Sequence, residues 1–258
     1  HVDWSHVLSE TLLPHISFDA SYVLLVVGVF GTTISPYLFF WQAAEEVEDI
    51  ADIPSRHALI MHPEQAPKQL KRINLDTIFG MGFSNIISFF IILTTAATLF
   101  PAGIHNIQTS AEAAAALRPI AGDFAFMLFA LGIIGTGLLA IPVLAGSAAY
   151  AVSELMHKPA SLRLKASSAK HFYGVIVIAT LIGVGLDFSG IDPIKALIWS
   201  AVINGVVAVP LMIAVMHMST MQKIMGDFTI KGKTKLLGWL ATALMTVTAI
   251  ILGLVNLF

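Results

Sequence analysis

Six long apolar runs limit what this chain can fold into. They cover residues 22–42, 77–100, 124–152, 172–188, 194–218 and 236–257. Each is near the roughly 20 residues that a helix needs to cross a bilayer. The fourth run is the shortest, and the third is long enough to tilt or bend. Lipid offers no water to backbone groups, so only helices and closed barrels can span it. A barrel strand alternates polar and apolar residues, and these runs do not alternate. The chain therefore reads as an all-α integral membrane protein with about six transmembrane helices in a single transmembrane domain. Composition agrees: only 12% of residues are charged, where a soluble domain carries roughly a quarter. The net charge of -2 gives no sign of a nucleic-acid partner. The absence of cysteine rules out disulfides and thiolate metal sites.

The loops set an orientation. All but two of the 14 basic residues fall in three loops, after the first, third and fifth runs. The positive-inside rule places those loops in the cytoplasm and both termini outside. Trp41, Trp199 and Trp239 lie near run ends, where interfacial anchors or plain packing would put them. The start, His1-Val2-Asp3-Trp4, has neither an initiator methionine nor a signal sequence. An outside N-terminus without a signal sequence is explained if an odd number of upstream helices precedes this chain.

Chemistry is concentrated in Gly31-Thr32-Thr33-Ile34-Ser35-Pro36-Tyr37, in the middle of the first run. Pro36 has no N–H, so the Thr32 carbonyl loses its helical donor, and its ring disturbs the preceding turn. The segment is expected to be non-helical around residues 32–35. Irregular backbone at that depth must be buried in protein or line a wet cavity. Free carbonyls and hydroxyls there suit a transported cation. A structural proline kink, with the hydroxyls bonded back to the helix, remains the competing reading.

Other candidates are weaker. Glu45, Glu46, Glu48, Asp49 and Asp52 follow the first run. They could draw cations inward, form a solvated face, or pair with the basic residues downstream. Asp76 and Asp123 are candidates for a gate or proton path, against simple helix-end solvation. Asn85 and Asn204 lie deeper and could ligate an ion or clamp two helices. The nine histidines form no zinc spacing. The small residues of the third run, from Gly132 to Ala149, are a packing signal. No set of residues converges as catalytic machinery, so an enzyme is not expected.

The stretch from Gly31 to Gln42 resembles the sixth membrane helix of the Nramp family of proton-coupled divalent-metal transporters. The runs from Asp76 to Asn85 and from Leu139 to Tyr150 resemble that family's seventh and eighth helices. The likeness covers essentially the whole chain and is closer to a bacterial Nramp-related branch. It implies the second inverted repeat of a leucine-transporter-type fold plus one extra helix, in a bacterial inner membrane. The first five helices, with their Asp-Pro-Gly-Asn motif, would lie outside this chain. The family's Ala-x-x-Met-Pro-His becomes Thr32, Ser35 and Tyr37 at its Ala, Met and His positions. Thr32 and Ser35 are then the implied metal contacts, and Tyr37 stands where the family's proton-linked histidine would be. A hydroxyl is a harder ligand than a thioether, which moves the site away from soft metals. The implied cargo is a divalent metal ion, with no resident cofactor and with proton coupling left open. Transport of an amino acid or another small substrate, or an inactive membrane scaffold, are the alternatives.

Overall fold

Pro36 decides the architecture of the first apolar run. In the computed structural model, which describes residues 4–101, 103, 107, 109–115, 118 and 122–255, that run is two helices. A short helix α1 (Trp4–Leu12) comes first. Helix α2 (Ala20–Ile34) then meets helix α3 (Pro36–Asp52) at the single residue Ser35. The expected irregular stretch of residues 32–35 thus narrows to one position. A residue before proline is pushed out of the α region, while proline itself is preorganised for the first position of a new helix. Ser35 takes up the whole change of direction with φ 47° and ψ 70°. Thr32, Thr33 and Ile34 stay helical.

At the other end, Asp19 caps α2. Its carboxylate accepts from the Ser17 hydroxyl, the Ser21 hydroxyl at 2.6 Å and the Tyr22 N–H at 2.9 Å. These bonds, that of Ser17 foremost, lower its pKa from 3.8 to about 2. A lowered pKa means that the cap contributes fully above the ordinary carboxylate value and is lost only as pH falls through about 2. The first turn of α2 is therefore expected to survive acidification to pH 4, and an NMR titration of the Asp19 carboxyl would check it.

Among the described residues the further helices are α4 (Ala66–Thr98), α5 (Ser110–Ala115), α6 (Ala125–Leu155), α7 (Lys170–Asp187), α8 (Pro193–Thr220), α9 (Gln222–Met225) and α10 (Gly232–Val255). The helix containing the second apolar run begins at Ala66, eleven residues before that run, because the polar residues ahead of it continue the helix. The last apolar run ends at Leu257, outside the described residues. Together α2 and α3, and singly α4, α6, α8 and α10, are five helical units long and apolar enough to cross a membrane, while α7 is apolar but shorter.

The two halves of the broken helix pack into different cores. Helix α2 lies along α8 and α10, where Val23, Val27, Val202, Met245 and Leu252 are buried together. Helix α3 lies mainly against α6 and more lightly against α8, and its Ala44 shares a core with Ala149, Tyr150, Ala169 and Phe172 of the α6–α7 hairpin. Lipid is as apolar as leucine, so close approach through small residues must hold such helices together. The α2–α8 crossing shows this. A Cβ on Gly31 would lie 2.1 Å from the Ala201 carbonyl oxygen and 2.5 Å from the Gly205 nitrogen. Backbone meets backbone there, just before the break. Helix α4, by contrast, buries only Ala66 among its residues.

Candidate functional site

The site begins with what Pro36 takes away. The Thr32 carbonyl cannot receive an N–H from Pro36. The Ser35 hydroxyl donates to it instead, and the Ser35 N–H still reaches the Gly31 carbonyl at 3.1 Å. The Ser35 carbonyl accepts from the Leu38 N–H at 2.9 Å, which starts α3. A left-handed serine costs about 1–2 kcal/mol, and the hydroxyl-to-carbonyl bond offsets part of that. The outcome is a paired hydroxyl and carbonyl at a helix break, with Ser35 and Pro36 buried. Both oxygens keep a lone pair that can face a cation.

Thr32 shares the turn but presents its side chain differently. It is exposed, and its hydroxyl donates to the Val29 carbonyl at 2.9 Å, as does that of Thr33 at 2.8 Å. The back-bonding reading thus describes the hydroxyls of Thr32, Thr33 and Ser35 alike, and the Thr32 oxygen left for a ligand is its carbonyl, which already accepts from Ser35. Tyr37 is half-buried in the first turn of α3. Asn204, also half-buried, immediately precedes the Gly205 that touches Gly31, at the level of the crossing. Asn85 is exposed on α4.

The acidic run occupies the far end of α3. Glu45, Glu46, Glu48, Asp49, Asp52 and Asp76 border an open cavity of about 290 Å³. Arginines occupy much of this acid: Arg72 meets Glu46 at 2.5 Å and Asp49 at 4.0 Å, Arg56 pairs with Asp49, and Arg163 pairs with Asp52. Pairing with downstream basic residues is thus the reading that the structure realises for this run. Among the described residues, no three His, Cys, Asp or Glu side chains are grouped to hold a metal ion. Asp123 is not part of this cavity. It is exposed in a 3-10 turn before α6, 3.8 Å from Arg118. Its end of α6 is roughly 40 Å from the Tyr150 end by helical rise. Asp76 and Asp123 therefore belong to opposite ends of the molecule.

Residue patterns alone did not single out Tyr150. Its hydroxyl donates to Glu48 Oε1 at 2.6 Å, and the Leu162 N–H lies 3.3 Å from both oxygens. Its ring meets Trp41 and Phe172 edge-on, at centroid distances of 6.0 and 4.8 Å. Trp41 leans over Gly146, where a Cβ would come within 2.5 Å of the indole. The available signal was the spacing of Ala145, Gly146 and Ala149, a small-residue face that leaves room for a large partner.

A helix broken at a buried serine, among helices of membrane-spanning length, defines an integral membrane protein with irregular backbone inside its helical layer. The chain belongs to the Nramp family: the family model described as "Natural resistance-associated macrophage protein-like" matches residues 1–255. It is similar to the divalent metal cation transporter MntH of Caldanaerobacter subterraneus subsp. tengcongensis, with 24% identity over 95% of this chain and 53% of the relative. The protein of the same name from Clostridium acetobutylicum is 24% identical over 96% of this chain and 53% of the relative. That from Granulibacter bethesdensis is 24% identical over 98% of this chain and 51% of the relative. The chain thus spans about half the length of the curated relatives it matches.

Proposed function

We propose that this chain forms the second half of a secondary transporter for divalent metal cations of the Mn, Fe and Mg class. The observation that carries the proposal is the break at Ser35, where a hydroxyl and the Thr32 carbonyl are paired beside Pro36. Discontinuous helices supply such oxygens to ions in secondary transporters. The MntH relatives are named as divalent metal cation transporters, which agrees with this use. The first repeat would come from helices outside this chain, which would bring the carboxylate. Those helices and lipid would cover α4, whose apolar length is otherwise exposed. The metal is cargo, and the chain acts as a transporter rather than an enzyme. The proposed membrane is the bacterial inner membrane, with the basic loops in the cytoplasm.

Protons are the proposed coupling ion. Asp76, at the edge of the acidic cavity, is the candidate for passing one to the cytoplasmic side. Full-length protein in liposomes should take up Mn²⁺ with saturation, faster when the source side is acidic. Uptake of an amino acid without any divalent ion would replace this reading with that of a same-fold carrier for another substrate. Mn²⁺ uptake indifferent to the pH gradient would remove the protons and leave the metal.

A further inference from the structure

We propose that Glu48, the Tyr150 hydroxyl and the Leu162 N–H form a latch that ties the inner half of the broken helix to the α6–α7 hairpin and opens during transport. The proposal rests on the transport reading and adds a moving part to it. Its first ground is the division of the broken helix between two cores. Helix α2 is held by backbone contact with α8 at Gly31 and Gly205. Helix α3 is held by side chains: Trp41 on Gly146 and Tyr150, and Ala44 in the α6–α7 core. Only Ser35, with its positive φ, joins α2 directly to α3 along the chain.

The second ground is the chemistry of the α3 end. The loop at residues 162–164 is held there by several polar contacts. Glu48 accepts from Tyr150, Leu162 N–H lies between those two oxygens, and Arg163 pairs with Asp52. Tyr173 shares its hydroxyl between the Leu162 and Leu164 carbonyls, at 3.1 and 3.0 Å. Glu48, Asp52, Tyr150 and Leu162 border an open cavity, so water can replace their bonds as they break. Nothing comparable is available to the Gly31–Gly205 contact, where separation would leave an empty gap between backbones. The molecule therefore has one permanent joint and one exchangeable joint, on opposite sides of Ser35. Opening the exchangeable one lets α3 move away from α6 and α7, turning on its lighter contact with α8, while α2 stays in place.

The chain has no cysteine, so introduced thiols report cleanly on it. In the full-length transporter, with any cysteine outside this chain replaced by serine, Glu48→Cys and Leu162→Cys joined by a short bifunctional thiol reagent cleavable by reductant should abolish Mn²⁺ uptake, and release of the link should restore it. Complete cross-linking, measured by mass spectrometry, with undiminished uptake would overturn the latch. A second measurement does not depend on transport. Gln42, which borders the cavity, is replaced by cysteine and labelled with an impermeant thiol reagent from the basic-loop side. Adding Tyr150→Phe removes the hydroxyl and keeps the ring. Labelling should then rise roughly tenfold, the population shift for one lost hydrogen bond to a charged group. Unchanged labelling would refute the latch. Faster labelling in a protein that moves no metal would uphold it and count against the transport reading alone.

Discussion

Gly31→Ala is expected to keep the protein from accumulating in folded form. The added methyl would lie 2.1 Å from the Ala201 carbonyl oxygen, 2.5 Å from the Gly205 nitrogen and 2.9 Å from the Gly205 Cα. All three are backbone atoms, so no side-chain rotation relieves the clash. The helices α2 and α8 must separate, which opens the Val23, Val27, Val202, Met245 and Leu252 core. The cost should reach the upper end of overpacking, on the order of 3 kcal/mol or more. Gly205→Ala should behave similarly, since its Cβ would meet the Val27 carbonyl at 2.7 Å. Gly28 provides the control on the same helix: its Cβ would sit 3.7 Å from Val202 Cγ2, an ordinary contact. Thermal unfolding followed by size-exclusion chromatography in detergent should rank Gly28→Ala near the parent and Gly31→Ala far below it. Equal behaviour of the two variants would contradict the close crossing.

Ser35→Met should change which metals are carried. Ser35 is buried, and its hydroxyl is bonded to the Thr32 carbonyl beside the break. Carbonyl and hydroxyl oxygens are hard ligands that suit Mg²⁺, Ca²⁺ or Mn²⁺. A thioether at the same place is soft and favours later transition metals. Cd²⁺ or Fe²⁺ uptake, measured in competition with Mg²⁺ or Mn²⁺, should therefore gain. Loss of even an outer-sphere partner changes metal affinity by 10–100-fold, so a direct ligand should shift the ratio by at least about tenfold. The methionine is larger than serine and loses the bond to Thr32, so folding must be checked alongside transport. Unchanged selectivity with transport intact would show that the Ser35 side chain does not face the ion.

Some of this was legible in the chain of residues and some was not. Pro36 without an N–H, preceded by Gly31, Thr32, Thr33 and Ser35, announces a break in the first apolar run. It does not say that one residue suffices. That follows from Ser35 taking a left-handed conformation while Pro36 starts a new helix at once. The acidic run was visible, yet its partners Arg72 and Arg163 come from segments far along the chain and are brought together only by the fold. Tyr150 illustrates the same limit. Nothing local to it indicates Glu48, 102 residues earlier, as its acceptor. Asp76 and Asp123 looked alike as helix-end carboxylates, but Asp76 lies inside α4, whose polar start extends the helix to Ala66, and Asp123 lies in a turn at the far end of α6. The Gly31–Gly205 contact was likewise invisible, because two glycines become informative only when two helices face each other through them.

The central claim is that a divalent cation binds at the Ser35 break, and a structure of the full-length protein with Mn²⁺ tests it most directly. Anomalous scattering identifies the ion without reference to its surroundings. The ion should lie within about 2.0–2.6 Å of the Ser35 hydroxyl or the Thr32 carbonyl oxygen, the range for hard cations on oxygen. A carboxylate from outside this chain should complete its shell. Mn²⁺ bound in the acidic cavity beside Glu46 and Asp76, with the Ser35 break unoccupied, would contradict the account.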